Sequence, residues 1–289
     1  RPVMPPSHFV ESGHNAAMAA AVKAAVDIPV GVVGAIDSPE IAEKILAAGM
    51  ADYVCAARAF IADPDWVEKT KEGKEDEIRP CIKCLRCLDI AAGRVNTSKV
   101  VLQDFKNATK LNSCSVNPVY GRQEVLALYP PAKRRKKVVV IGGGPAGMQA
   151  AITARERGHD VVLFERSPKL GGQLFYADYV WFKKDMKRYR DWLIRMTQRS
   201  GADIRLNTEA TPEMIKAENY DVVIAATGAN PMVLPIPGAD PEKLFFAQET
   251  FAHPEKLGEN VVVIGGGEVG VEAGMHLAKS GRNVTVLEM

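Results

Sequence analysis

The 289-residue sequence has little net charge, few cysteines and no long apolar run. A formal charge of +2 is too small for the strong long-range attraction by which basic proteins bind nucleic acids or anionic membranes, so we expect neither partner. No apolar stretch reaches the roughly 20 residues that span a bilayer, and the first residues lack the apolar core of a signal peptide. These absences predict a cytoplasmic protein.

Four of the five cysteines have the spacing of metal ligands. Three form a C-x-x-C-x-x-C run and the fourth begins a Cys-Ser-Val-Asn-Pro segment; they are Cys81, Cys84, Cys87 and Cys114. Three closely spaced thiolates with a distant fourth are typical of [4Fe-4S] ligation, so we expect such a cluster. Structural zinc, which also binds four thiolates, is the alternative. Cys55 lies in an apolar stretch and is expected to be a small buried side chain.

The first segment has the alternating pattern of an α/β fold. Its periodicity predicts a helix from Gly13 to Val26, a strand from Ile28 to Ile36, a helix from Pro39 to Ala48 and a strand from Ala51 to Phe60. Ser38 is placed to cap the second helix and Gly49 to end it. Two strands joined through a helix form a parallel βαβ unit, and two strands cannot close a barrel. This unit is therefore expected to belong to a larger structure.

A glycine motif of the G-x-G-x-x-G type follows a later apolar strand and opens a helix. Within it, Gly142 permits a tight turn, Gly144 lets a pyrophosphate approach the backbone, and Gly147 lets helix and strand pack closely. The N–H groups at the helix N-terminus favour the phosphates. Glu165 ends the next strand 23 residues after Gly142 (165 − 142), where a carboxylate can accept hydrogen bonds from ribose hydroxyls. The motif predicts a dinucleotide site.

A second copy of the motif contains Gly265, Gly267 and Gly270, and its acidic residue, Glu288, follows at the same interval of 23 residues (288 − 265). Two dinucleotide sites in one chain are explained most simply by hydride transfer between a nicotinamide and a flavin. A carboxylate at Glu288 would repel the 2′-phosphate of NADPH, so the second site favours NADH.

The remaining pattern divides the chain into four parts. The strands and helices predicted after residue 131 are Lys137–Ile141, Ala146–Arg157, Asp160–Glu165, Asp178–Arg199, Asp221–Ala226, a strand from Val261, and Asn283–Glu288. A basic run at residues 133–137 follows two prolines and predicts a domain boundary. We divide the chain into a βαβ segment (1–80), a cysteine segment with its linker (81–131), a first nucleotide-binding domain (132–259) and the start of a second (260–289).

Two further motifs make the first nucleotide-binding domain similar to the FAD-binding half of the two-dinucleotide flavoproteins. They are Leu170-Gly-Gly-Gln after Glu165-Arg166, and Ala226-Thr-Gly. The resemblance implies that FAD contacts Ala146, Arg166, Gly172, Gln173, Thr227 and Gly228. Disulfide reductases of that group carry a redox cysteine pair after the first motif, whereas this sequence has no cysteine after Cys114. Thiol–disulfide chemistry on the flavin is thereby excluded.

The order of motifs along the whole chain resembles the old-yellow-enzyme-related family that includes 2,4-dienoyl-CoA reductase, enoate reductase and trimethylamine dehydrogenase. The resemblance rests on Ile-Ala-Asp-Pro at 61–64, Ile-Arg-Pro-Cys-Ile at 78–82 and the cysteine segment. It implies that residues 1–80 are the C-terminal part of a TIM barrel that binds FMN, whose phosphate is held by Gly34, Ala57 and Arg58. Ala57 stands where glycine is usual. A long Cys87 to Cys114 interval predicts an insertion near residues 96–110.

We therefore expect an α/β oxidoreductase that passes electrons from NADH through FAD and a [4Fe-4S] cluster to FMN and reduces an activated C=C bond of a small-molecule substrate. The alternatives are an amine dehydrogenase with reversed electron flow and a nucleotide-binding or electron-transfer module without substrate chemistry. The residue that donates a proton to the substrate is expected before Arg1, so the catalytic residue is unknown. A homo-oligomer is a possible assembly.

Overall fold

The computed structural model describes residues 7–91, 113–121, 132–232 and 235–289, and its first part is built on a parallel strand pair. The elements of this part are α1 (Ala16–Lys23), β1 (Gly31–Val33), α2 (Pro39–Ala47), β2 (Tyr53–Cys55), α3 (Ala57–Ala62), α4 (Trp66–Lys71) and α5 (Arg86–Ala91). β1 pairs in parallel with β2, and Val33 lies opposite Cys55. The Ser38 hydroxyl accepts a hydrogen bond from the Ile41 N–H at the start of α2. The predicted βαβ unit is confirmed.

The two strands are shorter than the apolar runs that predicted them. β1 ends at Val33 because Gly34 and Ala35 have positive φ values of +151° and +50°, which leave the extended conformation. The prediction of a single strand from Ala51 to Phe60 is wrong. This run contains β2 and then α3, in which Ala59 and Ala62, three residues apart, are buried, whereas Phe60 is exposed.

The expected burial of Cys55 is also wrong. Cys55 is exposed, as is Tyr53, whereas Val54 between them is half-buried. Side chains of a strand alternate between its two faces. The face of β2 that carries Tyr53 and Cys55 is therefore the more exposed of its two faces, although both residues belong to an apolar run.

The second part contains a four-stranded parallel sheet with helices packed against it. Its elements are β3 (Lys137–Ile141), α6 (Pro145–Glu156), β4 (Asp160–Phe164), α7 (Leu174–Ala177), α8 (Lys184–Arg199), β5 (Asp203–Arg205), α9 (Pro212–Ala217) and β6 (Val222–Ala225). The strand order is β5-β4-β3-β6, and each neighbouring pair is parallel. Met148 of α6, Leu163 of β4 and Leu193 of α8 are fully buried between sheet and helices. This is the arrangement of a Rossmann-like half.

A smaller copy of the same unit follows. It contains α10 (Ala247–Ala252), β7 (Asn260–Ile264), α11 (Glu268–Lys279) and β8 (Asn283–Leu287), and β7 pairs with β8 in parallel. The strands and helices predicted from the two glycine motifs are therefore present within about one residue of their predicted bounds. The α/β class expected from the sequence is confirmed.

The long helix predicted from Asp178 begins six residues later, at Lys184. The range Asp178–Arg199 is predicted as a helix because apolar and aromatic residues recur near helical spacing along it. Of these, Met186, Tyr189, Leu193 and Met196 lie on α8, whereas Tyr179 and Phe182 precede it. Tyr179 stacks on Phe251 at 5.4 Å between ring centroids, and Phe182 is buried with Phe251 and Ala273 of the second unit. Tyr179 and Phe182 thus fit the helical period by spacing, but they pack between the two nucleotide-binding units and lie outside α8.

The cysteine segment packs between the first two parts. Ala62 of α3, Val116 of the cysteine segment and Met148 of α6 belong to one buried cluster. Trp192 of α8 donates a hydrogen bond of 2.9 Å from Nε1 to the carbonyl oxygen of Glu77, in a short 3-10 turn that precedes the cysteines. Among the described helices, none is both long and apolar enough to cross a bilayer. The predicted insertion near residues 96–110 lies outside the described residues.

Candidate cofactor sites

The first glycine motif forms a tight loop between β3 and α6. Gly142 has φ of +105°, and a Cβ atom there would lie 2.3 Å from the carbonyl oxygen of Ala226. A Cβ atom at Gly147 would lie 1.8 Å from the carbonyl oxygen of Gly142. A Cβ atom at Gly144, by contrast, would have no neighbour within 4 Å, so this side of the loop is open. Two glycines are thus required by packing, and the third leaves room at the helix N-terminus for a phosphate.

Glu165 closes the loop from the end of β4. Its Oε2 accepts a hydrogen bond of 2.6 Å from the Gly143 N–H, and its Oε1 accepts one of 2.8 Å from the Ser167 N–H. Burial acts to raise the pKa of Glu165, but the backbone hydrogen bonds from Ser167 and Gly143, together with the Ser167 side chain and the positive charge of Arg166, bring the pKa below its ordinary value. Each carboxylate oxygen keeps a further acceptor position for a hydroxyl group. The side chain therefore has a structural role in addition to the predicted contact with ribose.

We expect Glu165→Gln to destabilise the first nucleotide-binding unit in a pH-dependent manner. The folded-state pKa of Glu165 is lowered, so its contribution to stability is present above about pH 4.5 and is lost as the pH falls through the folded-state value. Urea unfolding at about pH 7 and about pH 4 should show a larger difference between wild type and variant at the higher pH. Glu213→Gln, at an exposed position of α9, is the matched control, and an equal effect of both substitutions would contradict this role.

The Leu170-Gly-Gly-Gln segment packs directly on the glycine loop. The Gly171 N–H donates a hydrogen bond of 2.9 Å to the carbonyl oxygen of Gly143, and a Cβ atom at Gly172 would lie 2.9 Å from Gly144 Cα. Gln173 donates from Nε2 to the carbonyl oxygen of Ala229 at 3.1 Å, directly after Thr227 and Gly228. The motifs that the sequence places about 30 and 85 residues from the first glycine therefore meet around one loop.

A cavity of about 140 Å³ opens beside this loop. Four of its residues, Gly142, Glu165, Arg166 and Thr227, were predicted from the sequence to contact FAD. The sequence motifs missed its other wall, which is formed by the segment Thr208-Glu-Ala after β5. The Thr208 N–H donates a hydrogen bond of 2.9 Å to the carbonyl oxygen of Glu165. Only the parallel pairing of β5 with β4 brings this segment to the site. Ala146, also predicted, is exposed in the first turn of α6.

The second glycine motif repeats the geometry of the first. Gly265 has φ of +105°, and a Cβ atom at Gly270 would lie 1.9 Å from the carbonyl oxygen of Gly265. Gly267 is open, as Gly144 is in the first copy. Glu288 accepts a hydrogen bond from the Gly266 N–H through Oε2, so it has the same place in its loop as Glu165 has in the first. The positions predicted from spacing alone are structurally equivalent in the two copies.

The four clustered cysteines lie near one another between the βαβ part and the first nucleotide-binding unit. The Cys84 thiol donates to Ser115 Oγ at 3.2 Å, and Arg86 Nε donates to Ser113 Oγ at 3.2 Å. These two bonds hold the C-x-x-C-x-x-C loop against the segment that carries Cys114. Asn117 in turn donates from Nδ2 to the carbonyl oxygen of Ile61 at 2.8 Å, at the end of α3. Within the described ranges, no three His, Cys, Asp or Glu side chains are close enough to hold a single metal ion.

Burial raises the pKa of two of the thiols, Cys81 and Cys87. Burial raises the pKa of Cys81 to about 11, with smaller upward effects from Cys114 and Cys84. Burial also raises the pKa of Cys87, again with upward effects from Cys114 and Cys84. The Arg58 guanidinium acts in the opposite direction on both thiols. Iron or zinc binds thiolates, so metal binding at these residues would release protons and would be favoured by the nearby cation.

The residues predicted to hold an FMN phosphate lie together at one edge of the β1–β2 sheet. Gly34 directly follows β1, whereas Ala57 and Arg58 begin α3 after β2, and the parallel register places the ends of the two strands side by side. Gly34 is tightly enclosed, since a Cβ atom there would lie 2.8 Å from Asn15 Nδ2. Arg58 lies close enough to the cysteine loop to influence Cys81. This edge of the sheet therefore adjoins the cysteines, which sequence spacing did not reveal.

Two family models match the chain. Residues 136–289 match the pyridine nucleotide-disulphide oxidoreductase family, and residues 4–77 match the NADH:flavin oxidoreductase / NADH oxidase family. The two matches cover both nucleotide-binding units and most of the βαβ part. They agree with the resemblance drawn from the motifs.

Known proteins resemble the chain over nearly its whole length. It is 45% identical over 292 residues to an NADH oxidase of Thermoanaerobacter brockii, covering 99% of this chain and 42% of that protein. It is 36% identical to a cinnamate reductase of Clostridium sporogenes, covering 93% of this chain and 38% of that protein. The solved structure of a 2-naphthoyl-CoA reductase in complex with 2-naphthoyl-CoA superimposes with a TM-score of 0.85 at 31% identity, covering 99% of this chain and 41% of that one. The chain thus spans about two fifths of the length of these relatives.

Proposed function

The chain belongs to the pyridine nucleotide-disulphide oxidoreductase family, and part of an old-yellow-enzyme-related NADH:flavin oxidoreductase domain precedes that region. We therefore propose that the chain is the electron-transferring part of a modular enzyme that uses NADH, FAD, a [4Fe-4S] cluster and FMN. Its resident groups would be FAD at the first glycine motif, NADH at the second, the cluster at four cysteines and FMN at the barrel edge.

The position of the cysteines is the observation that carries this proposal. Cys81 and Cys114 pack against the hydrophobic core beneath α6. This helix begins at the proposed FAD loop. Arg58, at the proposed FMN edge, acts electrostatically on Cys81 and Cys87. A cluster at these thiols would therefore lie between the two flavin sites, where an electron carrier is needed.

The chain's own residues fit the groups by shape and donor chemistry. Gly142 and Gly147 hold the first loop tight, and Gly144 leaves it open for a pyrophosphate. Glu165 orients that loop through its N–H contacts and keeps acceptor positions for ribose hydroxyls. When bound, the groups would carry electrons from NADH through FAD and the cluster to FMN, because nicotinamides give electrons in pairs and iron-sulfur centres carry one at a time.

The substrate class that we propose is an activated alkene. The cinnamate reductase and the 2-naphthoyl-CoA reductase are both named for reduction of conjugated carboxylate or thioester compounds. In such compounds a carbonyl group withdraws electrons from the C=C bond and makes it an acceptor for hydride. This assignment rests on the similarity of the chain to these two relatives.

Anaerobic titration of the full-length protein tests the proposed path. We expect a flavin absorbance that NADH bleaches, about four iron atoms per chain, and reoxidation of the reduced protein by cinnamate or a related unsaturated acid. A protein without iron, or a flavin that NADH does not bleach, would refute the path. Reduction of the flavin by an amine but not by NADH would instead indicate an amine dehydrogenase with reversed electron flow.

The preference for NADH at the second motif is tested by Glu288→Gln. The carboxylate at the end of β8 repels a 2′-phosphate, so its neutralisation is expected to reduce the NADH-over-NADPH preference by about tenfold, equivalent to 1.4 kcal/mol. The ratio of kcat/KM for the two nucleotides measures this effect. Glu213→Gln, at an exposed position of α9, is the control, because it removes the same charge outside both glycine motifs and should leave the ratio unaltered. A wild-type preference for NADPH would contradict the assignment.

A further inference from the structure

Lys83, which lies between two of the predicted cluster ligands, is a buried cation that joins distant parts of the fold. Its side chain is 1% exposed, and its Nζ lies 2.9 Å from Asp37 Oδ2 and 3.1 Å from Asp185 Oδ2. The same ammonium group donates a hydrogen bond of 2.8 Å to Ser12 Oγ. Ser12 and Asp37 belong to the βαβ part, whereas Asp185 lies in the first turn of α8. The cysteine loop is thereby tied to both of its neighbours.

The charges around Lys83 balance, which is what permits their burial. The side chains of Asp37 and Asp185 are 4% and 2% exposed. Arg188 Nη1 lies 3.3 Å from Asp185 Oδ1 and 3.5 Å from Asp37 Oδ2, so two cations face two carboxylates. Ser12 also donates to Asp37 Oδ2 at 2.8 Å. A buried ion that loses its partner is strongly destabilised, so loss of Lys83 would leave two carboxylates with only the partly exposed Arg188.

The backbone conformation at Lys83 indicates that the residue is needed for its charge and not for the turn of the loop. Lys83 has φ of +52° and Leu85 has φ of +62°, so left-handed residues flank Cys84 on both sides. Glycine adopts this conformation without the steric cost that a lysine carries. If the position served only to turn the chain, glycine would serve better. The buried ammonium, with its three partners, is the feature that glycine cannot supply.

We propose that Lys83 is a positioning residue that fixes the cysteine loop, and with it the cluster, at the boundary between the FMN-binding and FAD-binding parts. This inference rests on the proposed function, because it assumes a cluster at Cys81 and Cys84. The ammonium group joins Asp37 of the βαβ part to Asp185 of α8, and the loop that carries it cannot shift towards either part without breaking an ion pair. Electron transfer between the flavins then depends on this contact.

Three substitutions in the full-length holoenzyme test the inference. Lys83→Gly relieves the backbone cost but removes the ammonium, Lys83→Met removes the charge at similar length, and Lys83→Arg retains a cation. We expect the glycine and methionine variants to lose iron, or to keep it with an altered EPR spectrum of the reduced cluster and roughly tenfold slower transfer from the first flavin to the second. Reduction of the first flavin by NADH should be unchanged, and Lys83→Arg should restore part of the loss.

Lys69→Met is the matched control. Lys69 also neutralises a buried carboxylate, Asp63, at 2.6 Å, but the contacts of its ammonium group, with Asp63 and with the carbonyl oxygen of Glu77, lie within residues 1–80. In the variant, Asp63 keeps the hydrogen bond of 2.8 Å from the Arg79 N–H, which holds the segment ahead of the cysteines. The control should leave iron content, the EPR spectrum and transfer between flavins at wild-type levels. Equal losses in Lys69→Met and Lys83→Met would show general destabilisation and overturn the inference, as would a Lys83→Gly variant with wild-type values in all three measurements.

A charge-compensated variant covers the case in which Lys83→Met fails to fold. Lys83→Met with Asp185→Asn removes one cation and one anion, which leaves Asp37 facing Arg188. We expect this double variant to fold and hold both flavins while transfer between them stays slow; wild-type transfer in it would overturn the inference. Absence of iron from the wild-type protein would instead refute the proposed function, so the two failures are distinguishable.

Discussion

Gly147→Ala is expected to abolish FAD binding and to lower the free energy of unfolding by about 3 kcal/mol. The added Cβ atom would lie 1.8 Å from the carbonyl oxygen of Gly142 and 3.3 Å from Val140 Cγ1, so the helix must move away from the strand. Alanine has a helix propensity about 1 kcal/mol better than that of glycine, which offsets only part of this cost. Urea denaturation and the flavin content of the purified protein measure the two effects.

Gly144→Ala is the matched comparison for Gly147→Ala. Gly144 has φ of −74° and ψ of −178°, which any residue adopts, and its Cβ position has no neighbour within 4 Å. The variant should therefore keep wild-type stability but bind FAD about tenfold or more weakly, because the methyl group would enter the space kept for the pyrophosphate. Unchanged FAD affinity in Gly144→Ala would show that the phosphates do not approach this side of the loop.

Gly270→Ala extends the comparison to the second motif. Its Cβ atom would lie 1.9 Å from the carbonyl oxygen of Gly265, so it makes the same clash as Gly147→Ala in the other nucleotide-binding unit. We expect loss of reduction by NADH with FAD retained. Loss of FAD in this variant would contradict the assignment of the two motifs to two different nucleotides.

Cys114→Ser is expected to remove the iron from the protein while FAD remains bound. A [4Fe-4S] cluster needs one thiolate for each iron, and Cys114 is the ligand contributed from outside the C-x-x-C-x-x-C loop. The FAD site should be retained, because Cys114 takes no part in the hydrogen bonds that Glu165 and Gln173 make around the glycine loop. Iron analysis and the visible spectrum of anaerobically purified protein measure both outcomes.

Cys55→Ser is the control for Cys114→Ser, because Cys55 is exposed on β2 and lies outside the group of mutually interacting thiols. Its iron content should equal that of wild type. Full iron retention in Cys114→Ser would show that the fourth ligand is another residue. Zinc in place of iron in the wild-type protein would establish the alternative that the cysteine spacing leaves open.

The glycine motifs were predictable in detail because their constraints are local. A carbonyl oxygen 1.8 Å or 1.9 Å from a hypothetical Cβ excludes every residue except glycine at Gly147 and Gly270, and both positions follow from counting along the sequence. The acids at Glu165 and Glu288 are equally local, since each directly follows the strand that pairs with the strand before its motif. Because the two strands pair in parallel and in register, the carboxylate after one strand lies beside the glycine loop after the other.

The apolar runs of the first segment were less informative. An apolar run of ten residues fits a buried strand or a strand followed by a short helix, and the run from Ala51 to Phe60 proved to be the latter. Tyr179 and Phe182 fitted the period of α8 but pack against the second nucleotide-binding unit. Periodicity does not identify the packing partners of Tyr179 and Phe182, which lie far along the chain.

The sequence by itself determined the two nucleotide-binding motifs, the four clustered cysteines and the α/β class, because each follows from spacing between residues that are close along the chain. Only the tertiary structure decided that Arg58 acts on the cysteines and that Lys83 lies between Asp37 and Asp185, which is 102 positions away along the chain (185 − 83). Such meetings depend on how separate elements pack. The local sequence does not distinguish a buried lysine from an exposed one. A lysine can be buried only where carboxylates from distant parts of the chain neutralise its charge.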